Sequence, residues 1–188
     1  MGFFSKILGV FNQDKYNKSD KERWKPIGSL KKSWGSRTIE MSKFITPNST
    51  IIEFGAGRMV LKNHLPEGCS YTPSDIVDRG PGTIVIDLNN PDLPKFDQYD
   101  YCVFSGVLEY INDVPKLIEH LSDSIDSFII SYAVPKEDPK AKRGNGWVNS
   151  YSENEIINIF KEKGYAISEK MDWFKQVIFV FNKIDNKS

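Results

Sequence analysis

The sequence predicts an α/β fold: a seven-stranded, mostly parallel sheet whose last two strands return as an antiparallel hairpin. From residue 50 onward, short apolar runs alternate with stretches of helical periodicity, the pattern of strands joined by crossover connections. Seven such runs can be identified. Only a few residues around Phe174 and Lys175 separate the last two, so this pair can form only as a hairpin on the edge of the parallel sheet.

Before the first strand, Phe3, Phe4, Ile7, Leu8 and Phe11 recur at helical spacing, giving a short amphipathic helix over 3–11. It packs on its own domain or acts as a lid, with a membrane surface or a partner as the alternative occupant. Residues 12–26 are polar and Lys-rich and read as a mobile linker. Helical character returns over 29–44, with Trp34, Ile39 and Met41 among the apolar positions, and Pro47 stops it. Residues 1–46 thus form an N-terminal helical or lid segment, and 47–183 the main domain.

Strands are expected at 50–54, 70–72, 83–86, 101–104, 128–132, 165–172 and 176–182. Helices are expected at 58–65, 114–122 and 153–163, the last opened by Ser152 and Glu155 as a capping box. Between the second and third strands about ten residues remain, including Gly80, Pro81 and Gly82. A full crossover helix does not fit there, so a turn replaces it.

Composition narrows the function. The 25 basic and 25 acidic residues balance, so no overall field draws the protein to nucleic acid, and a small molecule is the expected partner. Residues 1–43 carry ten Lys or Arg against four Asp or Glu; this is a solvated lead-in or an arm that meets an anion. Cys69 and Cys102 lie in or beside apolar runs, at a spacing that fits neither a metal site nor a disulfide framework, and read as buried free thiols; no metal is expected. No run approaches the roughly 20 apolar residues of a membrane span, and Lys6 stands where a myristoylation signal wants Ser or Thr. A soluble cytoplasmic protein is the expectation. His64 and His120 fall on predicted helices away from the strand ends, as surface or capping residues.

The chemistry gathers at the strand ends. The first strand runs Ile51-Ile52-Glu53-Phe54 into Gly55-Ala56-Gly57, where glycines let backbone approach a ligand closely. Ser74-Asp75-Ile76 follows the second strand, with Asp75 22 residues beyond Glu53, about the distance at which an acid meets ribose hydroxyls in nucleotide-binding sheets. Asp87-Leu88-Asn89 follows the third, and Ser105-Gly106-Val107-Leu108 the fourth. Each feature also has a bland reading. The glycines suit any strand-to-helix turn, Asp75 a cap, Asp87 a polar turn, and Val107 and Leu108 the core.

Taken together, the four segments resemble class I S-adenosylmethionine-dependent methyltransferases, over about residues 34–182. The likeness is closest to small bacterial members similar to the methionine-biosynthesis protein W group. The resemblance implies a Rossmann-like sheet and S-adenosylmethionine as cofactor. Glu53, Gly55, Ala56 and Gly57 would hold its amino acid end, Asp75 with Ile76 its ribose, Asp87 with Leu88 its adenine, and Ser105 the methyl-transfer opening. Met59 replaces the usual third glycine. After the fifth strand, Tyr132, Trp147 and Asn149 are the substrate-side candidates, with Trp147 alternatively pinning its loop to the core. Trp34 and Arg37 are placed to cover the cofactor, Arg37 facing its carboxylate. No catalytic base is nominated. The implied reaction is methyl transfer to a metabolite or sugar. Two rivals remain: a binding or regulatory protein that kept the fold without catalysis, and a nicotinamide-dependent oxidoreductase, whose third glycine would fall at Val60.

Overall fold

The computed structural model describes residues 19–135 and 146–184. The helix expected over 3–11 lies outside them, as do residues 12–18 of the expected linker. Seven strands form one sheet: β1 (Thr50–Phe54), β2 (Ser70–Asp75), β3 (Ile84–Val85), β4 (Tyr99–Ser105), β5 (Ile125–Tyr132), β6 (Tyr165–Trp173) and β7 (Gln176–Lys183). Their spatial order is β3-β2-β1-β4-β5-β7-β6. The pairs from β3 to β5 are parallel, and β7 runs antiparallel between β5 and β6. The expected mixed sheet with its C-terminal hairpin is the one observed.

The central strands read as apolar runs because both sheet faces are covered. Ile52 and Phe54 of β1 join Phe104 and Phe128 on one face, under α3 (Val114–Leu121) and α4 (Glu153–Glu162). Phe54 stacks on Phe104 with centroids 5.3 Å apart, and Phe160 on Phe181 at 4.1 Å. On the other face Ile51, Val103 and Ile129 pack with Met41 of α2 (Gly35–Ser42). α3 buries Val114, Leu117, Ile118 and Leu121, one helical stripe, behind an Asp113 cap that accepts from Lys116 N at 3.0 Å. α4 opens with the expected Ser152–Glu155 capping box.

Three expectations need correction. The helix expected over 58–65 is not formed; the chain turns there and makes a single 3₁₀ turn at Leu61–His64. Gly57 and Met59 both take φ of 52°, and two left-handed residues within three positions break a right-handed helix before it propagates. Where a linker is expected, residues 19–26 carry a one-turn helix, α1 (Lys21–Trp24), capped by Asp20. Cys69 is only partly buried, its Sγ 3.3 Å from Thr46 O, whereas Cys102 is fully buried and burial pushes its thiol up. Residues 76–83 are a turn, as expected. The strand after it is short and lies at the sheet edge, with Val85 51% exposed.

Candidate active site

The sheet order reverses at β1, whose neighbours are β2 on one side and β4 on the other, and open sheets place ligands at the carboxyl ends beside such a point. A cleft opens there, lined by the exits of β1, β2 and β4, by the segment after β3, and by residues 19–38 and 146–148 at its rim.

Its floor begins at Glu53, 2% exposed, whose Oε2 accepts from Tyr71 Oη at 2.5 Å. Burial is the main force that lifts its carboxyl to about 8; the Asp75 charge adds to the rise, while the Tyr71 hydrogen bond and Arg37 oppose it. Burial, with Glu53 beside it, also pushes Tyr71 up. Gly55 has φ +69°, and a Cβ there would stand 2.5 Å from Val107 Cγ2, so the turn admits only glycine. Ala56 N donates to Ser74 O at 3.0 Å, and Gly57 N to Asp75 Oδ2 at 2.9 Å. Asp75 also accepts from Val77 N at 3.0 Å and pairs with Arg79 Nε at 3.2 Å, both side chains 5% exposed. Ile76 and Leu88 line the same cleft. Asp87 Oδ1 accepts from Ser19 Oγ at 2.5 Å and Asn89 N at 2.9 Å.

Ser105, at the end of β4, meets Arg37. The guanidinium donates to Ser105 Oγ at 3.0 Å, Ser105 O at 2.8 Å and Gln176 Oε1 at 2.5 Å. Burial lowers the Arg37 pKa, opposed chiefly by Glu109. Gly106 clears the space, since a Cβ there would lie 2.7 Å from Arg37 Nη1. Glu109, 1% exposed, accepts from Ala133 N at 2.9 Å and Gln176 Nε2 at 3.1 Å through Oε1. Its Oε2 has no hydrogen-bond partner among the described residues, and burial raises its carboxyl. Gln176 therefore joins Glu109 to Arg37.

The rim is fastened by arginines. Arg79 Nη2 donates to Trp24 O at 2.8 Å, and Arg58 donates to Leu30 O at 2.9 Å and Ile27 O at 2.8 Å. Trp24 stands edge-on to Tyr110 with centroids 4.9 Å apart, and Trp34 lies 6.4 Å from Trp24.

All nine residues expected at the cofactor come together in this cleft, as do Trp34, Arg37 and Val107, whereas Leu108 is core. Tyr132 and Asn149 are not brought to it. Tyr132 is fully buried; its Oη donates to Asn149 Oδ1 at 2.5 Å and accepts from Tyr151 N at 2.8 Å. Asn149 Nδ2 donates to Leu108 O and Ile111 O, so the pair rivets the returning chain to the exit of β4. Trp147 Nε1 donates to Tyr110 Oη at 3.1 Å, and its neighbours Gly146 and Val148 line the cleft in its place. His64 and His120 lie elsewhere, beside Val60 O and Pro94 O. Sequence reasoning missed Ser19, Arg23, Trp24, Arg58, Arg79, Tyr110 and Gln176. Only Trp24, an indole inside a polar stretch, gave a signal.

The methyltransferase domain family matches residues 28–170. The chain belongs to that family. Among solved structures, this methyltransferase is similar to the 1,6-didemethyltoxoflavin-N1-methyltransferase of Burkholderia thailandensis, bound to 1,6-didemethyltoxoflavin and S-adenosylhomocysteine. Identity is 13% and the TM-score 0.65, over 96% of this chain and 90% of that one. It is also similar to the magnesium protoporphyrin IX methyltransferase of Synechocystis PCC 6803 with bound S-adenosylhomocysteine (16% identity, TM-score 0.60, 93% of this chain and 98% of that one). The mitomycin 7-O-methyltransferase MmcR matches at 14% identity and TM-score 0.61 over 80% of this chain, which spans about half (54%) of that enzyme. At these identities the likeness is one of fold. No curated protein matches the sequence. Family and fold make the chain a class I methyltransferase, the class that uses S-adenosylmethionine, and set the nicotinamide reading aside. Among the described residues no helix is long and apolar enough to cross a membrane.

Proposed function

We propose that this methyltransferase transfers the methyl group of S-adenosylmethionine to a small-molecule acceptor, a metabolite or sugar. The observation that carries the reading is the convergence of Glu53, Asp75 and Asp87, the acids at or just beyond three successive strand ends, on one cleft beside a glycine turn that admits no Cβ. The residues fit the cofactor group by group. The Asp75 carboxylate would meet the ribose hydroxyls, and Asp87 with the Leu88 amide the adenine. Glu53 suits the ammonium, and the Arg37 guanidinium the carboxylate. The three named neighbours are, by name, methyltransferases of small molecules, which supports an acceptor of that size.

When bound, S-adenosylmethionine would supply an electrophilic methyl carbon on a sulfonium, open to an acceptor lone pair, with sulfur as the group that would keep the bonding electrons. The chain's part is positioning. The Arg37–Gln176–Glu109 chain fixes the methionine end, and Tyr71 holds the Glu53 carboxyl in place. On this reading residues 47–183 are the catalytic domain, and the described part of 1–46 is its lid.

Calorimetry with S-adenosylmethionine and S-adenosylhomocysteine tests the proposal, with NADH as control ligand and Asp75→Ala as control protein. Saturable binding weakened by Asp75→Ala, followed by methyl release onto members of an acceptor panel, is the expected result. Binding without turnover on any acceptor would leave the catalytically degenerate binding protein as the better reading, and equal binding of NADH would defeat both.

A further inference from the structure

Among the described residues, five cationic side chains line the cleft: Arg23, Lys31, Arg37, Arg58 and Arg79. Three have work that the fold explains. Arg37 binds Ser105 and Gln176, Arg58 holds two carbonyls of the rim, and Arg79 joins Asp75 to Trp24 O. Arg23 and Lys31 are exposed and form no ion pair among the described residues. The acids nearest Arg23 in sequence are otherwise engaged: Asp20 caps α1 through Arg23 N at 3.1 Å, and Glu22 stands 3.8 Å from Lys25.

The placement of Arg23 is specific. Its guanidinium carbon lies 4.9 Å from the centroid of Trp24 and 5.8 Å from that of Tyr110. It also meets Gly146, where a Cβ would stand 2.0 Å from Arg23 Nη1. A cation is thus held over two aromatic rings that touch edge to face, beside a glycine that leaves it room, at the mouth of the cleft.

S-adenosylmethionine carries one anionic group, its carboxylate, and on the reading above Arg37 receives it. Arg23 and Lys31 then have no counterpart on the cofactor. We propose, resting on that reading, that the acceptor bears an anionic group, a carboxylate or phosphate on a ring, which Arg23 receives at the rim of the cleft that Lys31 also lines. The rings of Trp24 and Tyr110 supply the surface on which the acceptor ring lies. Guanidinium suits both anions because its planar fork matches either in bidentate fashion.

The test uses the full chain saturated with S-adenosylhomocysteine, titrated calorimetrically with benzoate, phenyl phosphate, inorganic phosphate and the neutral benzyl alcohol. Binding of benzoate or phenyl phosphate at least about tenfold tighter than benzyl alcohol is expected, as a charge-assisted contact to one guanidinium supplies. The stronger of the two ring anions identifies the source, and weaker binding of inorganic phosphate shows that the ring contributes. Arg23→Gln should remove the preference. Gly146→Ala, which thrusts a Cβ into the guanidinium, should weaken it by a different route. Lys25→Gln, outside the cleft, should leave it intact. Equal binding of neutral and anionic rings, binding of neither, or an Arg23→Gln protein that keeps the preference would overturn the proposal. Failure of S-adenosylhomocysteine itself to bind would defeat the methyltransferase reading instead, so the two failures are told apart at the first titration.

Discussion

The floor and the rim of the cleft are built by different physics. The floor is backbone geometry: strand ends fixed in a parallel sheet, glycine turns that tolerate no side chain, and acids that project where strands stop. The rim is held by side chains reaching across space, with Arg58 and Arg79 on carbonyls of residues 24–30 and Trp24 on the edge of Tyr110. A floor of this kind is stiff and intolerant of substitution. A rim of this kind can be lifted where its contacts are exposed, as at Arg58, since exposed polar contacts each contribute about 1 kcal/mol or less; Arg79, its side chain 5% exposed, ties the rim to the floor at Asp75.

The sharpest way to break the comparison is at Gly55. Gly55→Ala combines a left-handed φ of +69° with a Cβ 2.5 Å from Val107. It should cost about 2–4 kcal/mol of folding stability in a denaturant titration and lower S-adenosylmethionine affinity by about 100-fold; a variant as stable as the parent would show the floor to be soft. Next comes Asp75→Asn, which keeps the shape but removes the charge facing Arg79. Cofactor affinity should fall by about 10–30-fold, one charge-assisted contact, by calorimetry.

A third prediction concerns pH. The Glu53 carboxyl, raised from its ordinary value to about 8, keeps its proton in the folded cofactor-free protein at pH values where the unfolded chain has lost it. The native state then binds more protons, so stability falls as pH rises from the ordinary carboxyl range to about 8, at a slope approaching ~1.4 kcal/mol per pH unit. Glu53→Gln should flatten that slope in melts taken across pH 6–9 (about these limits), and parallel profiles for the two proteins would remove Glu53 as the cause. The smallest effect belongs to the rim: Ser19→Ala, which deletes the 2.5 Å contact to Asp87, should cost only about 0.5–1 kcal/mol. Its clearer sign is faster proteolytic cleavage near α1.

The same division explains what could be read from sequence. β1 lies at 50–54 as expected, and the three acids at or beyond strand ends converge as expected, because apolar runs and the turns after them are local properties of the chain. The helix expected after β1 failed at Gly57 and Met59, the latter holding a left-handed φ of 52° where the resembled motif has glycine. The rim contacts of Arg79 and Arg58 were not legible because they end on carbonyls about 55 and 28 to 31 residues away, and carbonyls carry no sequence signature. Tyr132 and Asn149 were selected for polar chemistry near a strand end. They use it on each other and on the backbone, a role that only the returning path of the chain could disclose.

Trp24 and Trp34 are two of only four tryptophans in the chain, and both line the cleft. Any ligand or substitution that lifts α1 moves an indole from the edge of a tyrosine ring toward water. Two of the four indoles therefore sit where opening and closing would occur, and the unlabelled chain carries its own optical gauge of the rim.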